Sequence, residues 1–227
     1  PGNLVRNELD MRSIGLNKPD ALSARIREIN PLAKVVSRRL PLGGQESSAS
    51  TDAALQKIGS TDLIIDASAD PQIFNLCGKV PRAEKKPFLW GEVFAGGIGG
   101  LIARVRPDRD PPPYLARRQI ASWCEEQGVP WMYQNAGQQY SLAIDAEKPP
   151  IMADDADVSV IAAHMTRMAI DCLMRSESAF PQSAYAIGMS DQWIFTAPFD
   201  VWPIELRMDG EWGVPHDDNF KEEFSAF

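Results

Sequence analysis

The sequence predicts an α/β fold: a partial Rossmann-like, mostly parallel sheet followed by a C-terminal helical and β-ribbon extension. Two observations predict the α/β class, and a third predicts a boundary. Short apolar runs bounded by turn residues alternate with stretches of helical periodicity in the first half of the chain. Asp62 to Asp66 is one such run and is typical of a strand buried in a parallel sheet. A proline-rich segment, Pro107 to Tyr114, divides the chain into residues 1–107 and 108–227.

The N-terminal part begins with a predicted helix over Pro19 to Ile29. Leu22, Ile26 and Ile29 recur there at helical spacing, and Asn30-Pro31 ends the helix because the residue before a proline disfavours the α region. Ala33 to Leu40 alternates loosely and is predicted to be a strand. Further helices are expected at residues 52–58 and 70–80, and further strands at 62–66, 87–94 and 99–105.

In the C-terminal part, the proline-rich segment is expected to be a stiff, exposed crossing. Helices are predicted at residues 115–128 and 155–174. Residues 184–206 resemble a β-ribbon, in which Tyr185 and Ile187, then Trp193 and Phe195, occupy alternating positions.

Composition narrows the classes of function. The 227 residues are 44% hydrophobic and 24% charged, as in an ordinary globular protein. No apolar run is long enough to span a membrane and the N-terminus lacks signal-peptide features, so we expect a cytoplasmic protein with no membrane partner. The net charge of −8 argues against nucleic acid as a partner. The pairs Arg38-Arg39 and Arg117-Arg118 are interpreted as solvated strand and helix ends.

The three cysteines, Cys77, Cys124 and Cys172, are widely spaced and form no CxxC pair. The two histidines are His164 and His216, so a structural zinc site has almost no ligands available. We expect reduced thiols.

One set of polar residues could hold a nucleotide triphosphate. Arg6 and Lys18 could neutralise phosphate oxygens, and Asn3 could hydrogen-bond a phosphate or the sugar. Asp66 ends a predicted strand, where open α/β sheets bind ligands, and could hold Mg²⁺. The alternative is structural: Arg6 and Lys18 would be surface cations, and Asp66 would cap the next helix.

These residues lie in stretches that resemble a known family. Asn3 to Leu9 is similar to an NLxR(Q/H)xL run, and Ile14 to Lys18 and Ile29 to Pro31 follow it as VGxxK and NP. Asp62 to Ala67 is similar to a DLVxDxxD strand, and Pro87 to Pro107 resembles the two strands after it. In combination they resemble the ThiF/MoeB family of adenylyltransferases, which includes the ubiquitin-activating enzymes.

The resemblance covers residues 1–107 and identifies them as a partial adenylation domain. It implies that Asn3, Arg6 and Lys18 contact ATP and that Asp66 coordinates Mg²⁺. The implied reaction is ATP-dependent adenylylation of the C-terminal carboxylate of a ubiquitin-like or sulfur-carrier protein. It also implies a homodimer, or a partner subunit that completes the site, and a conjugating enzyme as a further partner. Asn7 stands where the family carries Gln or His.

Two features depart from the family. Its Gly-rich ATP loop would precede Pro1, and no GxGxxG occurs in the chain, so we expect a fragment that binds ATP poorly alone. Gly96 to Gly100 is predicted to be a turn between strands. The family's paired CxxC motifs are also missing, and zinc is not expected. The tail around Trp193 looks more like bacterial members associated with ubiquitin-like conjugation systems.

Family members often pass the activated carboxyl to a cysteine beyond the crossing segment. Cys124 is the candidate, with Trp123, Glu125 and Glu126 around it. The alternative is a packing residue, because the adjacent carboxylates would raise the pKa of its thiol. Cys77 and Cys172 lie on apolar helix faces and are predicted to be packing residues.

Two other classes of function remain open on the sequence. One is an inactive adenylyltransferase-like scaffold or protein-binding module. The other is a nicotinamide-dependent oxidoreductase, for which the chain supplies no dinucleotide fingerprint.

Overall fold

The computed structural model describes residues 9–39, 48–129, 131, 141–142 and 151–213. These ranges form an α/β fold, as predicted. The helices are α1 (Lys18–Ile29), α2 (Ser48–Gly59), α3 (Pro71–Glu84), α4 (Pro113–Glu126) and α5 (Asp155–Met174). The strands are β1 (Ile64–Asp66), β2 (Phe88–Phe94), β3 (Gly99–Val105), β4 (Ser141–Leu142), β5 (Ile151–Met152), β6 (Ala184–Gly188) and β7 (Val201–Ile204).

Five strands form one open sheet in the order β1-β2-β3-β6-β7, and β4 and β5 pair separately. β1 runs parallel to β2, with Asp66 opposite Trp90. The remaining three pairs are antiparallel. The predicted mostly parallel sheet is therefore wrong in strand direction.

The physical reason lies in the connections. β2 and β3 are joined by one short turn, in which Gly96 and Gly97 adopt φ angles of +67° and +95°. A turn of this length can only reverse the chain, because a parallel pair needs a crossover of a dozen or more residues. The predicted C-terminal ribbon is confirmed as the antiparallel pair of β6 and β7, which extends the main sheet. Its predicted alternation at Trp193 and Phe195 is wrong, because these two residues lie in the loop between the strands.

Both faces of the sheet are buried, as the side chains of β2 show. Phe88, Trp90 and Phe94 point to one side, where they pack with α3 and α4. Leu89 and Val93 point to the other side, where they pack with α5. This alternation explains why β2 is apolar along most of its length instead of alternating apolar and polar residues.

A buried ionic network ties β3 to α5 and to the chain that follows α5. The Arg104 guanidinium is fully buried and donates hydrogen bonds to Asp171 Oδ2 at 2.8 Å and Ser178 Oγ at 2.7 Å. It also donates to the Phe180 carbonyl at 3.2 Å. Because Asp171 is 3% exposed, this pair is shielded from water on both sides.

The predicted exposed crossing is largely buried. Asp110 is 5% exposed, and Pro111, Pro112 and Pro113 are buried beside it. Asp110 accepts hydrogen bonds from Arg106 Nε at 2.8 Å and Ser183 Oγ at 2.6 Å, which hold the segment against the sheet. One core cluster contains residues from both sides of position 107, and the division into two parts stays a prediction.

The predicted strand at 33–40 is not formed over residues 33–39, and Leu40 lies outside the described residues. Nothing among the described strands pairs with this stretch, and Val36 is 77% exposed. Along the described parts of the chain, no helix combines the length and apolar character needed to cross a membrane.

Candidate functional site

Asp66 lies at the carboxyl end of β1 and is 8% exposed. Its Oδ1 accepts a hydrogen bond from the backbone N–H of Ser68 at 2.8 Å. The predicted alternative role of Asp66 was to cap the next helix, but another residue occupies that cap position. Asp70 accepts hydrogen bonds from the N–H groups of Gln72 and Ile73 at the start of α3. Asp66 is therefore not needed as the helix cap.

A second carboxyl lies near the end of the neighbouring strand. Glu92 follows Trp90, the register partner of Asp66, by two residues, so its side chain lies on the same face of the sheet. Glu92 is 8% exposed, and its Oε1 has no hydrogen-bond partner among the described residues. A charged residue inside the strand Phe88–Phe94 was the signal that could have identified it from the sequence.

Arg117 faces Glu92 from α4. Its Nη1 lies 3.6 Å from Glu92 Oε1, which is an ion-pair distance without a hydrogen bond. The guanidinium carbon lies 4.6 Å from the centre of the Phe74 ring and 4.9 Å from that of Trp131. The side chain of Arg117 is only 15% exposed. The prediction that both arginines are solvated is therefore wrong for Arg117, whereas Arg118 is exposed. Neither residue lies at an end of α4.

We call Asp66, Glu92, Arg117 and Trp131 the strand-end cluster. Burial raises the pKa of the Glu92 carboxyl, and the negative charge of Asp66 adds to the rise. The positive charge of Arg117 and the Trp131 side chain oppose it. Burial and the Asp66 charge therefore oppose the ionised form of Glu92, whereas Arg117 and Trp131 stabilise it.

The carboxylate at this edge of the sheet is compatible with binding of Mg²⁺. Mg²⁺ in nucleotide sites is usually held by one or two carboxylates, with phosphates and waters as the other ligands. Asp66 supplies a carboxylate at the strand end. Across the described residues, no group of three or more His, Cys, Asp or Glu side chains could hold a metal by themselves. The ion would therefore depend on phosphate oxygens.

None of the described contacts joins the other predicted ATP-binding residues to Asp66. Lys18 is the exposed first residue of α1, and none of the described interactions joins it to the strand-end cluster. Asn3 and Arg6 lie outside the described residues.

Cys124 is placed as a packing residue. Its side chain is 2% exposed within the main core. Burial, with a smaller contribution from the Glu92 charge, raises the pKa of its thiol to about 12. A nucleophilic cysteine needs an accessible thiolate, so this position disfavours the predicted thioester role. The predicted packing role of Cys77 is consistent with its burial, and Cys172 is half-buried.

The sequence matches no protein-family model. It is 28% identical over 185 residues to the uncharacterized protein y4qC of Sinorhizobium fredii, a match covering 76% of this chain and 30% of y4qC. The structure resembles E. coli MccB solved with ATP, with a TM-score of 0.62 and 14% identity, covering 95% of this chain and 55% of that one. It also resembles PaaA, with a TM-score of 0.58 and 12% identity, covering 89% and 60%.

The chain has the fold of MccB. Since this likeness extends over almost the whole chain, the Rossmann-like fold continues past the proline-rich segment. The chain spans about half the length of the MccB chains it matches. MccB has been solved with ATP and, as the microcin C7 biosynthetic enzyme, in complex with N-formylated MccA.

Proposed function

We propose that this chain is part of an enzyme that uses ATP to adenylylate the C-terminal carboxylate of a ubiquitin-like or sulfur-carrier protein. The observation that carries the proposal is the MccB fold, with Asp66 at the carboxyl end of the strand parallel to β2. Open α/β sheets bind their ligands at this edge. The resemblance of residues 3–18 and 62–67 to the ThiF/MoeB family supports the same assignment.

In the proposed reaction, an oxygen of the acceptor carboxylate attacks the α-phosphorus of ATP. The bond to the bridging oxygen breaks, and pyrophosphate leaves with its electron pair, so the products are an acyl-adenylate and pyrophosphate. Arg6 and Lys18 stabilise the negative charge on the phosphates, and Asn3 orients the nucleotide. Asp66 would hold Mg²⁺ through its carboxylate, and the bound ion would neutralise phosphate charge.

ATP–pyrophosphate exchange measured with the full-length protein tests this proposal. We expect exchange that depends on a carrier protein with a free C-terminal carboxylate. Asp66→Asn should lower it by roughly 100-fold or more, because a neutral amide removes the metal's carboxylate ligand. Asp62→Asn is the matched control, since Asp62 is an exposed carboxylate shortly before the same strand.

The two contradicting outcomes have different meanings. Exchange that persists in Asp66→Asn would contradict the magnesium role while leaving the reaction in place. A full-length wild-type protein that exchanges pyrophosphate with none of a panel of ubiquitin-like and sulfur-carrier proteins would contradict the enzyme and favour the scaffold alternative.

A further inference from the structure

Strained backbone conformations gather at one end of the sheet. β1 is parallel to β2, and β2 and β6 are both antiparallel to β3, so β1, β2 and β6 all end on the same side. Six described residues other than glycine have a positive φ, and four of them lie in connections at this end. They are Ala69 after β1, Ala95 after β2, and Trp193 and Phe199 between β6 and β7. Strained residues of this kind concentrate at binding and active sites.

Two of the four strained residues present large aromatic side chains to solvent. Trp193 is 40% exposed and Phe199 is 70% exposed, with φ angles of +58° and +68° that are uncommon for bulky residues. Trp193 stacks on the buried ring of Phe94, with ring centres 6.3 Å apart. Trp202 in β7 is 36% exposed and lies on the same face of the sheet as Phe94. We call Trp193, Phe199 and Trp202 the β6–β7 aromatic surface.

The charges along this part of the chain are negative. Residues 189–206 contain no lysine or arginine and three acidic residues, Asp191, Asp200 and Glu205. Asp200 Oδ2 accepts hydrogen bonds from the Thr196 N–H at 3.0 Å and from Trp202 Nε1 at 3.3 Å, so its carboxylate also orients the Trp202 indole. Such a surface repels phosphates and anionic lipids and attracts cations, which exposed indole rings also bind through their faces.

We propose that the β6–β7 aromatic surface binds the acceptor protein through a basic, apolar segment shortly before its C-terminal carboxylate. This inference rests on the proposed function, which brings the reacting carboxylate near Asp66. Asp66 pairs with Trp90, and Phe94 follows Trp90 by four residues, or about 13 Å along the strand. An extended acceptor tail covers that distance with about four residues. Residues at about that distance from the acceptor's C-terminus therefore lie against Trp193.

Peptide binding tests the chemistry of this surface without requiring activity. The probes are acetyl-Lys-Leu-Lys-Leu-Gly-Gly and acetyl-Glu-Leu-Glu-Leu-Gly-Gly, each titrated calorimetrically into the full-length protein. We expect the basic peptide to bind at least about 10-fold more tightly than the acidic one, because its charges complement the surface. Trp193→Ala should weaken binding of the basic peptide by about 5- to 10-fold, since it removes an aromatic anchor.

Two control variants match the size of each change at the opposite end of the sheet. Asp191→Lys and Asp62→Lys reverse an exposed charge equally, but Asp62 precedes β1. Asp191→Lys should weaken binding of the basic peptide by about 10-fold, and Asp62→Lys by less than about twofold. Met174→Ala, at the end of α5 that leads to β6, removes a side chain that is 79% exposed and should likewise have no effect.

Three results would overturn the proposal. One is a basic peptide that does not bind at millimolar concentration, and another is equal binding of both peptides. The third is a Trp193→Ala protein that unfolds at the wild-type temperature and binds the basic peptide as tightly as wild type. An equal loss of binding in Asp191→Lys and Asp62→Lys would also overturn it, because the effect would then follow from net charge alone.

Pyrophosphate exchange separates this proposal from the proposed reaction. With an acceptor protein that supports exchange, Trp193→Ala and Asp191→Lys should each raise the KM for that protein by about 10-fold and leave the KM for ATP unchanged. If exchange is present and neither variant raises the acceptor KM, the docking surface fails and the reaction stands. If the basic peptide binds through Trp193 but exchange is absent, the surface stands as a site for basic, apolar segments and the reaction fails.

Discussion

Asp171 is the residue at which the buried network of Arg104 responds to pH. Burial would raise the pKa of Asp171, but hydrogen bonds from Ser178, Ala179 and Arg104 lower it to about 2. A carboxyl group whose pKa is lower in the folded state than in the unfolded state stabilises the folded protein. This stabilisation is present at pH values above the unfolded-state pKa of 3.8. That contribution is lost as the pH falls through the folded-state value.

We therefore expect Asp171→Asn to lower the free energy of unfolding by about 3 kcal/mol near neutral pH, since it leaves the buried Arg104 without its counterion. The difference from wild type should shrink as the pH falls from about 4 to about 2. Urea unfolding followed by circular dichroism at a series of pH values measures it. A difference that stays constant over that range would contradict the role of the Asp171 charge.

The cysteines permit a second test on single residues. Cys124 is 2% exposed and Cys77 is 7% exposed, and burial raises the pKa of the Cys124 thiol to about 12 and that of the Cys77 thiol to about 11. Half-buried Cys172 should therefore react first with a thiol reagent such as DTNB, and Cys77 and Cys124 only when the protein unfolds. Peptide mapping of the labelled sites identifies the order. Rapid labelling of Cys124 in the native protein would restore it as a candidate nucleophile.

At the scale of elements, the contact between β3 and α5 depends on a glycine. A Cβ at Gly100 would collide with the side chain of Ile161, which is 3% exposed and packs on this face of the sheet. Gly100→Ala should therefore destabilise the protein by about 1–3 kcal/mol, because added volume forces a packed core to shift.

A double-mutant cycle separates this collision from a general effect on the strand. Ile161→Val removes the terminal methyl group and should cost about 1 kcal/mol alone. In the Gly100→Ala background it should instead recover part of the lost stability. Strictly additive effects in urea unfolding would show that Gly100 and Ile161 do not interact.

The elements also show what local sequence patterns can predict. The helix predicted at residues 155–174 has the predicted bounds, and the helix predicted at 70–80 forms over 71–84. Both were predicted because their apolar residues recur at the helical period. The strand at 33–40 was predicted from loose alternation alone. Strand formation needs a neighbouring strand, and no local pattern states whether one is present.

For the whole molecule, the α/β class followed from the order of elements, but the direction of the strands did not. The parallel assignment assumed crossover connections, whereas the glycine turn reverses the chain between β2 and β3. The burial of the proline-rich segment depends on Asp110 meeting Ser183, which lies 73 residues away in the sequence. A contact over such a distance leaves no local signal.

The candidate site likewise contains one residue that the sequence predicts and one that it does not. Asp66 was predicted because the end of a buried strand is visible in the sequence. Arg117 was assigned to solvent, since an Arg-Arg pair on a helix ordinarily projects into water. Only the packing of α3 and α4 shows that one of the two arginines turns inward between Phe74 and Trp131.

The strand directions also place three connections at one rim of the molecule. β6 runs in the same direction as β2, because both are antiparallel to β3, so the segment after Asp66, the turn at Ala95–Gly97 and the loop after Gly188 leave the sheet on the same side. Trp193, in that loop, stacks on Phe94 with their ring centres 6.3 Å apart. Variation in the length or composition of these connections would leave the hydrogen bonds between the strands unchanged. Lineages that diverge at this rim could therefore acquire new binding partners without having to redesign the scaffold beneath it.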